Sequence, residues 1–215
     1  MAITIPRPLP DLRYVRSQMT LGRALSVNSL ASGAVQAVES GAALWRLSIQ
    51  TEPLRWSGRR ALNAWHGSLA GTRRILGYDW LGSYPVAYGV RALGLVKAGG
   101  GVWGGTATLG AATATTLTLS GLPAGYKASA GDRLSFPWAG VRAYHEITEA
   151  VTASAAGVMT VTVEPAVRLN PAPAAGAVVA LVRPACIMMI VPDSWQCDES
   201  GPLGSASFEA VQVLS

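Results

Sequence analysis

Charge is what this sequence has least of. Asp, Glu, Lys and Arg make up 13% of its 215 residues, about half the usual share. Half of the residues are hydrophobic, so intrinsic disorder, which needs high charge and few apolar residues, is excluded. A chain so poor in charge has surface better suited to a protein neighbour than to water. Lysine is nearly missing: among 17 basic residues only Lys97 and Lys127 are not arginine. Arginine forms bidentate, weakly hydrated contacts and is enriched at interfaces, where lysine is depleted. The net charge of +5 is dispersed, with no basic stripe between aromatics, which argues against sequence-specific nucleic-acid recognition.

Cysteine is scarce as well. Cys186 lies in an apolar run and Cys197 in a polar loop, a spacing that matches neither a zinc site nor a redox pair and leaves at most one bridge. The N-terminal MAITIPRPLPDLR has no apolar core of signal-peptide length. The longest uncharged stretch, Ala98 to Tyr126, exceeds a membrane span in length, but its Gly/Thr-rich texture reads as β structure. The expectation is a protein folded in a reducing cytoplasm without membrane insertion.

Motifs that carry chemistry are missing too. GGGVWGG at 99–105 lacks the Gly-Lys-Ser/Thr of a phosphate loop and reads as a hinge leading into a barrel. No Gly-x-Ser-x-Gly occurs. His66 has no carboxylate at helical spacing, and His145 alternates with Ala143 and Ile147 as a half-buried strand histidine. Asp193, Asp198 and Glu199 share one loop without the ligand spacing of a calcium site. Glu146, Glu149 and Glu164 lie on or beside strands, with no sign of the cleft a glycosidase needs. These readings predict no enzyme, no cofactor and no metal.

What is present is β patterning. Leu44 to Gln50 alternates Trp45, Leu47 and Ile49 against polar residues, the period of a half-buried strand. A helix capped by Ser57 runs to about Leu69, with Leu62, Trp65 and Leu69 in one stripe and Ala61 beside them. Arg59 and Arg60 sit in its first turn, where the helix dipole disfavours cations. TRRILGYDW returns as a strand. From Ala98 to Arg183, short alternating strands and turn signals give a small-barrel pattern: TTLTLSGL, GDRLSF, YHEITEAV and, after the turn at 155–157, VMTVTVEP. ACIMMIV reads as a strand covered on both faces, and ASFEAVQVL as a last strand pairing centrally with Leu44–Gln50. Pro6, Pro8 and Pro10 enforce an extended N-terminal arm, and Ser26 to Ser40 has room for one or two short strands.

The fold expected is mainly β with one short helix: a β-sandwich-like core carrying an inserted small β-barrel. Residues 1–40 form the arm, 41–97 with 184–215 the core, and 98–183 the barrel. Trp103 and Trp138, in Gly/Pro-rich turns, offer either exposed anchors for a protein or sugar or local packing.

The order of these segments resembles the tail-tip proteins of long-tailed bacteriophages. LWRLSIQTEPL followed by RRALNAWHGSLAGTRR, a Leu-x-Gly unit and a Tyr-Asp strand is similar to their opening. AGDRLSF…AYHEITEAVTASAAGVMTVTVEPAVR, with its Gly-Asp turn, aromatic-His strand and Pro-x-x-Arg exit, is similar to their inserted β unit. GSASFEAVQVL resembles their closing strand, so the likeness spans about Ala42 to Ser215. It implies a virion structural protein of the distal tail or baseplate hub: a homo-oligomeric ring, hexameric or trimeric, joining the tail tube protein to other tip proteins. DNA would cross its channel unread. The chain lacks a large carbohydrate-binding insertion, which sets it apart from members that contact receptors. Low charge and dispersed arginine suit the two different side faces that a closed ring buries.

Arg59, Arg60, Arg73 and Arg74, flanking the helix, are the expected interface. Reversing Arg59 and Arg60 to Glu is expected to weaken assembly and leave the fold intact. Two other classes remain as alternatives: a host-surface carbohydrate-binding module of the tail acting through exposed tryptophans, and a cell-wall hydrolase. A tail adaptor or tube-associated position is the alternative within the same class.

Overall fold

The computed structural model describes residues 5–29, 33, 35–39, 41–69, 74–198 and 201–214. The front of the chain carries β1 (Arg7–Pro8), β2 (Tyr14–Gly22), β3 (Leu25–Ser29), β4 (Val35–Glu39), β5 (Leu44–Thr51) and β6 (Leu54–Arg55). Next come α1 (Trp56–Gly67) and β7 (Arg74–Gly77). After a 3-10 turn at Gly89–Gly94 come β8 (Thr106–Ala112), β9 (Thr116–Ser120), β10 (Lys127–Ala128), β11 (Arg133–Trp138) and β12 (Val141–Ile147). Then follow β13 (Val151–Thr152), β14 (Met159–Glu164) and β15 (Val178–Ala180). The chain closes with β16 (Cys186–Ile190), β17 (Gln196–Cys197), β18 (Leu203–Gly204) and β19 (Ala206–Gln212).

The protein is mainly β, and it contains a closed six-stranded barrel. A seven-stranded sheet runs β1-β7-β16-β19-β5-β2, with β17 added beside β19. The last strand, β19, sits between β16 and β5, and Phe208 faces Ile49 in the ladder. Trp45, Leu47 and Ile49 are buried on one face of β5. Leu62, Trp65 and Leu69 of the helical segment cover that core, with the Trp65 ring 6.2 Å from Phe208. Along β16, Cys186, Met188 and Ile190 enter this core while Ile187 enters the barrel's, so the apolar run serves two cores. Met189 alone is exposed.

The barrel closes in the order β11-β12-β14-β9-β8-β15. Leu117 and Leu119 point inward, as do Met159, Val161 and Val163, with the threonines between them outward. Gly157 closes the turn into β14 at φ +70°, and a Cβ there would overlap the Leu122 carbonyl oxygen; only glycine meets both demands.

Residues 7–22 do not form a free arm. The proline segment lies on its own chain: Arg7 and Pro8 pair in parallel with Ile75 and Leu76, and the Trp65 indole donates to the Pro8 carbonyl at 3.2 Å. Tyr14–Gly22 then pairs along its length with β5. A bulge between Tyr14 and Arg16 interrupts the alternation, exposing Val15 and burying Ser17, which hides this strand from a period-two reading. β3 and β4 form a separate two-stranded hairpin. The helix also starts earlier than expected: it opens at Trp56, its N-cap is Arg55 with no side-chain cap, and Ser57 lies inside the first turn. Ala61 is exposed rather than part of the buried stripe.

Candidate functional site

The four arginines of the expected interface separate once their surroundings are seen. Arg59 is 5% exposed. Its guanidinium donates to the Asp198 carbonyl at 2.6 Å and the Gly201 carbonyl at 2.7 Å, stapling the helix to the loop before β18. It is a structural residue, and an Arg59→Glu reversal would leave a buried carboxylate facing two carbonyls, so the paired reversal is expected to disturb the fold as well as any assembly. Arg60 is exposed and lies over the Trp56 ring, 5.3 Å from its centroid. Arg74 is half-buried on β7, and Arg73 lies outside the described residues.

Trp103 and Trp138 are not exposed anchors. Trp103 is fully buried, plugging the barrel core beside Tyr126, and its indole donates to the Thr106 carbonyl at 2.7 Å. Trp138 is 8% exposed, donates to the Pro171 carbonyl at 2.7 Å, and has Arg168 over its ring. Both have their polar atom satisfied inside, as buried tryptophan requires. The exposed tryptophan is Trp56, at 62%. It opens the helix on the side away from Leu62 and Trp65; with Ser57 expected as the cap, Trp56 falls outside the periodic segment and gives no signal.

The titratable groups are held inward. His145 stacks on Phe136, and its Nδ1–H donates to the Pro165 carbonyl at 2.7 Å. Burial lowers its pKa to about 4, against the pull of that carbonyl. The other nitrogen, Nε2, is buried with no hydrogen-bond partner. His66 stacks almost flat on Trp195. Arg133 joins the barrel to the sheet: it bonds Asp79 at 2.5 Å, Glu146 at 3.4 Å and the Met19 carbonyl at 3.1 Å, and stands over Trp45. Cys186 is a free, buried thiol, and burial pushes its pKa up. Among the described residues no group of three His, Cys, Asp or Glu is placed to hold a metal, and no helix is long and apolar enough to cross a membrane.

A cavity of about 260 Å³ opens where Arg23 and Glu39, at the foot of the β3–β4 hairpin, meet Trp138, His145, Glu164 and Arg168 of the barrel side. An Arg23–Glu164 ion pair in its wall ties the foot of the hairpin to the end of β14.

The largest unsatisfied features are apolar. All ten strand residues of the hairpin are exposed. Cross-strand partners share a face, so the register of Leu25 with Glu39, Val27 with Ala37 and Ser29 with Val35 gathers Leu25, Val27, Val35 and Ala37 on one side. The opposite side carries Ser26, Asn28 and Gln36 with Val38. A second apolar surface lies on the strap between β7 and the barrel, where Val86, Val90, Leu93, Val96 and Val102 are exposed. Val96 and Val102 are bridge partners and so adjacent, and Val90 and Leu93 are three apart on the 3-10 turn, whose side chains at that spacing eclipse. No protein-family model matches this chain, and no curated protein is similar to it.

Proposed function

We propose that this chain is a virion structural protein of a phage tail tip, a ring subunit that joins the tail tube to the distal tail or baseplate hub and encloses a channel for DNA. The resemblance in segment order motivates the assignment to a tail. The single observation that carries the assembly part is the pair of exposed apolar surfaces, on the hairpin and on the strap, in a chain with very little charge. Isolated subunits gain nothing from such surfaces, whereas a cyclic assembly buries two different faces of every copy. In this reading the protein performs no reaction, and its partners are its own copies, the tube protein and other tip proteins. The carbohydrate-binding alternative loses its support, because Trp103 and Trp138, the tryptophans that would have stacked on sugar rings, are inside.

The test is native mass spectrometry of the purified protein together with immunogold labelling of purified particles. A closed ring of defined copy number, and label at one end of the tail, are expected. A protein that stays monomeric at high concentration, or particles without label, would overturn the proposal.

A further inference from the structure

We infer that the β3–β4 hairpin is an assembly arm whose apolar face docks on the Val86–Val102 strap of a second copy of this chain, a head-to-tail contact that each subunit makes once as arm and once as seat. The inference rests on the ring reading for closure; the pairing of arm and seat stands on the surfaces themselves.

A two-stranded hairpin is at best marginally stable alone in water. This one packs neither strand face on the molecule's two cores: none of its strand residues belongs to them. It nevertheless keeps five consecutive cross-strand pairs and gathers Leu25, Val27, Val35 and Ala37 on one face, leaving Val38 on the other. Its root is fixed, since β2 and β5 pair down to Gly22 and Leu44 and Arg23 bonds Glu164. A fixed root with an uncovered apolar face is the geometry of a projecting arm.

Two observations select a second copy as the occupant. The first is area. The apolar residues of arm and strap are exposed to between 43 and 74% where their values are given. Together they offer roughly 800 Å² of apolar surface, close to the roughly 900 Å² found in an interface of standard size. The second is charge. The only charged residue of residues 25–39 is Glu39, on the apolar face beside Leu25, whereas residues 81–102 carry Arg91 and Lys97 and no acid. Arm on strap therefore sets one carboxylate against two cations. Arm on arm or strap on strap would bring like charges together, which complementary interfaces avoid.

The experiment uses two doubly substituted full-length chains, Val27→Asp with Val35→Asp in the arm and Val90→Asp with Val102→Asp in the strap. All four positions are exposed, so far-ultraviolet circular dichroism should match the unsubstituted protein. Each variant alone is expected to sediment as a monomer, with self-association weakened roughly 100-fold, because a carboxylate would have to be buried without a partner. An equimolar mixture should then form one-to-one dimers and nothing larger, since only one good arm and one good seat remain per pair. If both variants assemble as the unsubstituted chain does, the arm-and-seat contact is wrong while the ring reading survives. Dimers of the strap variant alone would mean that arms pair with arms, which also overturns it. If the unsubstituted chain itself never assembles, the ring reading falls first.

Discussion

His145 is a titratable side chain made part of a wall. Its folded pKa of about 4 lies below the ordinary imidazole value of about 6.5 because burial disfavours the cation. Above pH 6.5 both folded and unfolded chains hold the neutral ring, and the group has no effect on the pH dependence. Between 6.5 and 4 the unfolded chain takes up a proton that the folded one refuses, so stability falls as pH drops, by roughly 3 kcal/mol in all. Urea midpoints measured from pH 7 to 4.5 should decline more steeply in the unsubstituted protein than in a His145→Gln variant. Parallel curves would mean that His145 is not the group responsible. The tryptophans teach a related lesson about what a single residue reveals. Glycine and proline neighbours mark Trp103 and Trp138 as turn residues, and turns are usually outside. Here Trp103 lies in the loop before β8 and enters the barrel core, while Trp138 is no turn residue at all but the last residue of β11, buried in the same core. Neighbouring residues report local backbone, whereas burial is decided by what arrives from elsewhere in the chain.

Among the elements, those that keep a strict period were legible. β5, β9, β14 and β19 alternate cleanly, and α1 has its buried apolar residues at Leu62 and Trp65, with Leu69 just beyond. The Tyr14–Gly22 strand was not legible, because its bulge puts Val15 outside and Ser17 inside, where the Ser17 hydroxyl accepts the Trp80 amide at 2.8 Å. The helix start was misplaced because Ser57 has the chemistry of a cap without occupying the cap position. Arg59 is the element-scale case with an energetic consequence. Truncating it to Ala removes the two hydrogen bonds that hold the helix to the loop before β18 and should cost about 2 kcal/mol. It should also speed hydrogen exchange in the Leu203–Gly204 and Leu54–Arg55 pairing that the loop supports. Arg60→Ala, which removes only a side chain lying over the exposed Trp56, should leave both quantities unchanged. Equal effects of the two substitutions would refute the division between staple and surface arginine.

For the whole molecule, the junction of barrel and sheet decides whether there is one cooperative unit or two. Arg133 reaches across it to Asp79 and the Met19 carbonyl, and the Trp45 indole donates to the Tyr144 carbonyl at 2.9 Å, with the two rings 5.2 Å apart. Arg133→Met removes the only guanidinium in that set and leaves the Asp79 carboxylate with 11% of its side chain exposed and its cation gone. Breaking such a pair costs about 3 kcal/mol or more. Calorimetry should then resolve two transitions where the unsubstituted chain shows one. Adding Asp79→Asn should recover part of the loss, and a single unchanged transition in Arg133→Met would show that the two cores are held by something else.

The central position of β19 sets the timetable of synthesis. Every barrel strand lies between residues 106 and 180, so the barrel's strand pairing needs nothing from the last part of the chain, although its core takes Ile187 from β16. The sheet's pairing needs it: β5 and β16 wait on opposite sides of a slot that stays empty until residues 206–212 have been translated. Until that moment the nascent sheet has a gap at its centre, and the interval is when a chaperone would have most to hold.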